Sequence, residues 1–209
     1  MKWEYKMNIE ILQKIEKFLF KYKEKGAGAA FAIADVVGVL IGLKPSAVIC
    51  FSNTEMEKAD CVELKELLEA MNLKAVFYHN QMVTVHELVW SEYVFISREL
   101  ETAVSLHDNF AALWASMDDW GLVVDKKSWA KATKRIGKLL GYPKTSVESF
   151  VRNETEKKDI KDSLTIVGGK YRYFAHSKKY AEEEAEMYDK PLNEALKKYS
   201  PAAYEVLYK

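Results

Sequence analysis

The sequence has few of the residues that build disulfide frameworks and metal sites. Its 209 residues include two cysteines, four histidines and four prolines. Cys50 and Cys61 are too few for the disulfide framework of a small secreted domain. They also form no zinc-site spacing with the scattered histidines, which are His79, His86, His107 and His176. We therefore predict no metal site, no cofactor and no disulfide between the two thiols.

The chain also lacks an excess of charge of either sign. Its 31 Lys and Arg residues balance its 31 Asp and Glu residues, so the formal net charge is zero. A neutral chain argues against a surface that binds polyanions all over, although it is compatible with a local basic patch. The charged residues are mostly Lys and Glu, and glutamine occurs only at Gln13 and Gln81. This bias is typical of thermophilic proteins.

No segment predicts export or a membrane span. Residues 1–6 lack an apolar region before a small-residue cleavage site, which indicates a reduced, cytoplasmic protein. Ala27 to Leu43 is almost wholly apolar, but it is short for a span and has Asp35 at its middle. A charge at the bilayer centre costs roughly 2.5–3.5 kcal/mol on insertion scales. We predict a tightly packed central helix and no membrane contact.

What the chain does have is a clear succession of helix and strand patterns, with 49% hydrophobic residues to form a core. Apolar residues at helical spacing predict helices over 8–24, 28–41, 57–71, 102–120, 127–140, 145–153 and about 178–199, the last with a kink or break at Pro191. Short apolar runs predict strands over 47–51, 73–78 and 93–97. Residues 82–89 fit either an edge strand or a loop.

The strand at 47–51, the helix at 57–71 and the strand at 73–78 predict a βαβ unit with parallel strands. Gly168-Gly169, between apolar runs at 164–167 and 171–174, predicts a hairpin near the C-terminus. We expect an α/β fold, mainly helical, with a small, partly parallel sheet near 46–98 and a helical second half. A single domain over 1–209 is the simplest division; the alternative is an α/β part over 1–121 and a helical part over 122–209.

Polar residues follow each predicted strand of the sheet. Ser52, Asn53 and Thr54 follow the first strand, His79 follows the second, and Arg98 follows the third. In open parallel sheets, ligands bind at the carboxyl ends of the strands, and a helix N-terminus there favours an anion. We predict a small-ligand or anion site from these five residues. The alternative is that they only cap a helix and form turns.

Residues 126–152 predict a basic helix, a sharp corner at Gly141 and a second helix. Gly137 is small enough to let the two helices approach closely, and Ser146 and Ser149 could face a nucleic-acid groove. The basic residues that could contact phosphates are Lys131, Lys134, Arg135, Lys138 and Lys144. Against this helix-turn-helix interpretation stand Pro143 and the apparent capping box over 145–148, which favour a packed structural corner.

The segment Leu140-Gly-Tyr-Pro-x-x-x-Val-x-x-Phe150 resembles the hallmark of an uncharacterised, mainly archaeal group, domain-of-unknown-function family 483. Residues 174–177 and 188–192 are also similar to that group. Its members commonly have a cysteine pair where this chain has Thr145 and Ser146. The resemblance therefore implies a shared fold without thiol chemistry, and it implies no activity.

The sequence predicts a non-catalytic binding protein with a small-ligand site at the strand ends. Nucleic-acid binding through 126–152 is the alternative. An enzyme of unknown class that uses the strand-end cleft is a second alternative, although no catalytic residue can be assigned: His107 and Asp108, for example, are adjacent and do not face each other on a helix. Partners and oligomeric state stay open.

Overall fold

A computed structural model describes residues 7–22, 27–52, 56–83, 88–118, 121–156, 164–165, 176–177 and 180–208. The first half of the chain contains α1 (Ile9–Tyr22), α2 (Ala27–Leu40), β1 (Ser46–Ser52), α3 (Lys58–Ala70), β2 (Lys74–Val83) and β3 (Leu88–Ser97). The second half contains α4 (Leu100–Trp114), α5 (Lys126–Leu139), α6 (Lys144–Glu156), β4 (Leu164–Thr165) and β5 (His176–Ser177). It ends with α7 (Ala181–Glu184), a π-helical turn (Ala185–Asp189), α8 (Lys190–Tyr199) and α9 (Pro201–Tyr208). The predicted mainly helical α/β class is confirmed.

The sheet has the order β1-β3-β2, and β3 pairs antiparallel with both neighbours. The strands β1 and β2 therefore run in the same direction, but they lie on opposite sides of β3 and do not pair. The predicted parallel pairing was wrong. The prediction failed because of residues 82–89, where β2 extends to Val83 and β3 already begins at Leu88. A short antiparallel connection places β3 beside β2 and fills the position that a parallel β1 would need.

The sheet lies between two layers of helices because its side chains alternate between its two faces. Ala47, Ile49 and Phe51 of β1 belong to the larger core with α1, α2, α3, α8 and α9. Val48 and the fully buried Phe95 contact the other face's cluster, which includes Leu106 of α4 and Ile136 of α5. The C-terminal helices thus return to α2, while α4 and α5 cover the opposite face.

The helix predicted over 102–120 ends at Trp114, because competing turn interactions follow it. The Asp118 carboxylate accepts a hydrogen bond from the backbone N–H of Leu122 at 2.8 Å, and Gly121 adopts a φ of 76°. Asp125 then caps α5, accepting from the N–H groups of residues 127 and 128 at 3.1 and 3.0 Å. Side-chain hydrogen bonds to the backbone therefore override the apolar periodicity.

The C-terminal hairpin pairs Leu164 with Ser177 and Thr165 with His176. The predicted Gly168-Gly169 turn and the partner strand over 171–174 lie outside the described residues. Beyond the hairpin, the chain is helical from Ala181 to Tyr199, with a π-helical turn that ends two residues before Pro191. Proline lacks the N–H of a regular helix, so the π turn is the distortion expected there.

Candidate functional site

The described residues of the predicted strand-end site, Ser52, His79 and Arg98, do not form one site. Ser97, the last residue of β3, pairs with Ser46 and Lys74, which are the first residues of β1 and β2. Arg98 therefore lies at the opposite end of the sheet from Ser52, which pairs with Ser91. Asn53 and Thr54 lie outside the described residues. The predicted cluster depended on three strands that point the same way, and the antiparallel β3 places Arg98 at the opposite end of the sheet from Ser52 and His79.

His79 and Arg98 of that cluster have structural partners. The ring Nδ1 of His79 is in hydrogen-bond contact with the carboxylate of Glu92 across the β2–β3 pair. The guanidinium of Arg98 donates to the carbonyl of Leu40, at the C-terminal end of α2. A cation at a helix C-terminus interacts favourably with the last carbonyls and with the helix dipole. Both residues thus have local structural contacts in place of a common ligand.

The basic surface of α5 is exposed along the whole helix. Its sequence from Lys126 to Leu139 contains no acidic residue. Trp129, Ala132 and Ile136 form its buried face. The exposed face carries Lys131, Lys134, Arg135 and Lys138. Within the described parts of the chain, Lys134 and Lys138 form no ion pair. The neutral chain therefore has a local concentration of positive charge.

The second helix of the pair does not present a recognition surface. Ser146 and Ser149 are only 3% and 8% exposed, so the prediction that they could face a nucleic-acid groove was wrong. The capping-box prediction was wrong as well, since α6 begins at Lys144 and Thr145 lies inside it. The hydroxyls of Thr145 and Ser146 both donate to the buried carboxylate of Glu184, at 2.9 Å from Ser146. A carboxyl group of the chain itself therefore lies at the first turn of α6, where an acidic side chain is favourable.

Two helices, α2 and α5, end in the same backbone conformation. Gly42 and Gly141 have φ angles of 75° and 77°, in the region that favours glycine. The N–H of Leu43 donates to the carbonyl of Gly38 at 3.0 Å, and the N–H of Tyr142 donates to that of Gly137 at 2.9 Å. These bonds, from the third residue after each helix back to its last turn, define a Schellman motif. The predicted corner at Gly141 is confirmed.

The two helix ends, here called the α2 corner (38–45) and the α5 corner (137–144), lie against each other. A Cβ atom on Gly141 would lie 3.2 Å from both the Cα of Lys44 and the Cδ of Pro45. A Cβ atom on Gly137 would lie 2.5 Å from Cγ2 of Val147 in α6. The close approach of α5 and α6 that Gly137 predicted is therefore present. The glycines bring three chain segments together at one point.

A groove of about 590 Å³ opens beside this junction. Its charged lining consists of Lys134, Lys138, Lys144 and Glu148, and its aromatic lining consists of Tyr142 and Tyr188. Lys144 and Glu148 form an ion pair at 3.7 Å, but both side chains are largely exposed, so the pair is weak. Three amines thus surround one concavity, with only one carboxylate among its lining groups.

Tyr142, in the floor of the groove, keeps its hydroxyl proton at neutral pH. Burial raises the pKa of the Tyr142 hydroxyl to about 12, and the negative charge of Asp35 adds to this shift. The hydroxyl therefore stays protonated. Beneath it, Lys44 is only 4% exposed and forms an ion pair with Asp35. The positive charge available to a ligand comes from the lysines at the rim.

Among the described residues, no three His, Cys, Asp or Glu side chains form a group that could hold a metal ion. Neither Cys50 nor Cys61 forms a disulfide. No helix in the described segments is long and apolar enough to cross a membrane. The three lysines that line the groove are chemically suited to an anionic group.

Comparison of the chain with protein-family models, with curated proteins and with solved structures found no match in any of the three searches. The resemblance to family 483 stays a prediction. The segment over 140–150 that carries this resemblance forms the α5 corner and the start of α6. In this chain its hydroxyl pair binds Glu184, which is a structural contact.

Sequence reasoning identified the three groove lysines but missed Tyr142, Tyr188 and the Glu184 contact. The repeated pattern of glycine, three residues, glycine and a nearby proline over 38–45 and 137–143 was the available signal for the junction. No local signal marks Glu184, because it lies 38 residues from Ser146 in the chain.

Proposed function

We propose that the protein binds an anionic small molecule, with phosphate or carboxylate groups, in the groove of the α5 corner. The observation that carries this proposal is the convergence of Lys134, Lys138 and Lys144 on one concavity with a tyrosine floor. Exposed lysines spread over a flat surface act separately, whereas like charges around a concavity focus the potential and raise the local concentration of anions. A volume of about 590 Å³ is typical of small-molecule sites.

The groove would hold the anion by side chains and not by a helix N-terminus. The nearest such terminus is that of α6, and Glu184 already contacts its first turn. The C-terminal end of the α5 dipole lies near Lys138 and offsets part of its charge. We therefore expect modest affinity and a strong dependence on ionic strength, since screening at about 0.15 M salt acts over about 8 Å.

The test compares two double variants of the same helix with equal changes in charge. Lys134→Ala/Lys138→Ala removes two groove lysines, and Lys127→Ala/Lys131→Ala removes two exposed lysines that do not line the groove. Calorimetric titration with pyrophosphate should show a loss of tenfold or more in affinity for the first variant and less than threefold for the second. Equal losses in the two variants would show that pyrophosphate responds to the overall positive charge of α5 and not to the groove, which contradicts the proposal. An absence of pyrophosphate binding by the unmodified protein would also refute it.

Nucleic-acid binding is a second candidate, and the length of the basic face favours it. Lys127, Lys131, Lys134 and Lys138 follow one side of α5 over a rise of about 16 Å. Because Ser146 and Ser149 are buried, α6 cannot read base edges through them, so binding would be through phosphates and independent of sequence.

The same two variants separate this candidate from the first. If α5 binds a single-stranded oligonucleotide, both double variants should weaken binding to a similar extent. Each lysine lost should reduce the slope of log affinity against log salt by about one. An oligonucleotide affinity that neither variant changes would remove the basic face of α5 as a nucleic-acid surface.

A further inference from the structure

A second cavity lies behind the lysine groove, between α5 and α6. Its volume is about 290 Å³, and its lining is almost wholly apolar. The side chains that determine its shape are those of Thr133, Ile136, Leu140, Val147 and Phe150. The close approach of the helices at Gly137 bounds the cavity on one side. It is therefore an apolar chamber and has no charged lining group.

The chamber and the groove share two wall residues. Tyr142 and Val147 line both concavities, so a ligand in the groove would have apolar space directly behind these side chains. Thr133 lines the chamber, but its Oγ1 is buried, so this hydroxyl adds no polar group to the lining.

We propose that the ligand is an amphiphile, with its anionic head among the groove lysines and a linear apolar chain in the chamber. This inference rests on the proposed anion-binding function, and it specifies the class of ligand. Charge complementarity places the head beside Lys134 and Lys138, and the apolar walls exclude the head from the chamber. An alkyl phosphate and an alkyl carboxylate share this chemistry.

The volume of the chamber limits the length of the chain. A water molecule takes about 30 Å³ of liquid, and a methylene group is of similar size, so the chamber holds at most roughly ten such groups. Burial of each methylene should raise affinity about fourfold. Affinity should therefore increase with chain length and then stop increasing when the chamber is full.

The first experiment titrates the protein with methyl, butyl, octyl and dodecyl phosphate, each below the concentration at which it forms micelles. We expect affinity to increase steeply up to octyl phosphate and to change little from octyl to dodecyl. Octanoate against acetate repeats the comparison with a carboxylate head, and it shows which head the groove prefers. Thr133→Leu fills the chamber and should abolish the gain with length, while Ala112→Leu adds an exposed apolar group on α4 and should keep it.

The outcomes separate this inference from the proposed function. An affinity that does not change with chain length, together with a loss in Lys134→Ala/Lys138→Ala, overturns the inference and leaves anion binding intact. A chain-length effect that this double variant does not weaken overturns the assignment of the head group. If no phosphate binds, both proposals fail.

A second measurement needs no chamber variant and so remains valid if Thr133→Leu does not fold. Methyl NMR signals of Ile136 and Leu140 report on the chamber of the unmodified protein. Octyl phosphate should shift both signals, and methyl phosphate should shift neither. If octyl phosphate leaves both signals unchanged, the chamber does not hold the chain.

Discussion

The α2 corner and the α5 corner have the same backbone conformation but differ in the exposure of their lysines. Each ends a helix with glycine at positive φ, and each has a second glycine four residues earlier. In the α2 corner, that second glycine makes room for the stem of Lys44, whose buried amine pairs with Asp35. In the α5 corner, it makes room for Val147, and the lysines remain exposed.

This difference shows that a glycine corner specifies geometry and not function. The α2 corner is called closed here, because the amine of Lys44 is buried and forms an ion pair with Asp35. The α5 corner is open, because its cations are at a rim with a concavity beside them. A glycine corner at the end of a helix therefore predicts how two segments meet, whereas the burial or exposure of the nearby charges determines whether they are accessible to a ligand.

The largest effect should follow removal of the buried cation. Lys44→Met keeps most of the volume of the stem but leaves the Asp35 carboxylate without the amine that it pairs with. Loss of one partner of a buried ion pair costs about 3 kcal/mol or more. We expect a decrease of that size in the free energy of unfolding, measured by urea denaturation.

The matched control is the lysine of the other corner. Lys144→Met should change the free energy of unfolding by less than about 0.5 kcal/mol, because its ion pair with Glu148 is exposed. Asp35→Leu added to Lys44→Met should recover most of the loss, since a buried pair can be replaced by apolar groups. Equal effects of Lys44→Met and Lys144→Met would contradict the distinction between a closed and an open corner.

The next largest difference in stability is expected between substitutions of the second glycines, Gly137 and Gly38. An alanine at position 137 would place its Cβ against the branched side chain of Val147, which is stiff about χ1. We expect overpacking in Gly137→Ala to lower the free energy of unfolding by a net amount of about 2 kcal/mol. This net value already includes the gain of up to about 1 kcal/mol in helix propensity. At position 38, the nearest atom is Cδ of Lys44 at 2.9 Å, on an unbranched stem.

Gly38→Ala should therefore cost at least about 1 kcal/mol less than Gly137→Ala, because the lysine stem can adjust its torsions. Thermal unfolding of the two variants, scanned under the same conditions, gives the comparison. If Gly38→Ala proved the more damaging of the two, the tight contact of α5 with α6 would not be what requires Gly137.

A smaller effect on stability is expected at Glu184, the buried acid that contacts the start of α6. Ser146→Ala removes one of two hydroxyl donors to Glu184, and a hydrogen bond to a charged group contributes about 1.5–3 kcal/mol. We expect Ser146→Ala to lower the free energy of unfolding by about 1.5 kcal/mol, the lower end of this range, because the Thr145 hydroxyl still donates to Glu184. A double-mutant cycle with Glu184→Gln should show a coupling of about 1 kcal/mol, and additive effects would mean that the pair does not interact in solution.

Much of the helical fold was predictable because its signals are local. Apolar spacing and a terminal glycine lie within one helix, so the bounds of α5 and the corner at Gly141 agreed with the structure to about one residue. The strand order was not predictable in the same way. It depended on whether residues 82–89 continue two strands, and their composition fits a loop equally well.

The candidate site was only half predictable for the same reason. The exposed lysines of α5 follow from charge and period alone. Tyr188 enters the groove from the C-terminal helical region, and Pro45 from the α2 corner, at sequence separations that no local pattern encodes. Ser146 likewise donates a hydrogen bond to Glu184, 38 residues away in the chain. Packing of elements distant in sequence, and not local secondary-structure propensity, therefore determines which polar residues are exposed to a ligand.

The smallest predicted difference concerns the two glycines at positive φ. Gly42→Ala and Gly141→Ala should each cost about 1 kcal/mol through the left-handed backbone. A Cβ at position 42 meets no atom within 4 Å, whereas one at 141 also crowds Lys44, Pro45 and the carbonyl of Leu43 at 3.2–3.3 Å. We expect an additional cost of roughly 1 kcal/mol for Gly141→Ala in urea denaturation. Because the strain is common to both variants, the difference isolates the contact between the corners, and equal costs would show that this contact contributes nothing to stability.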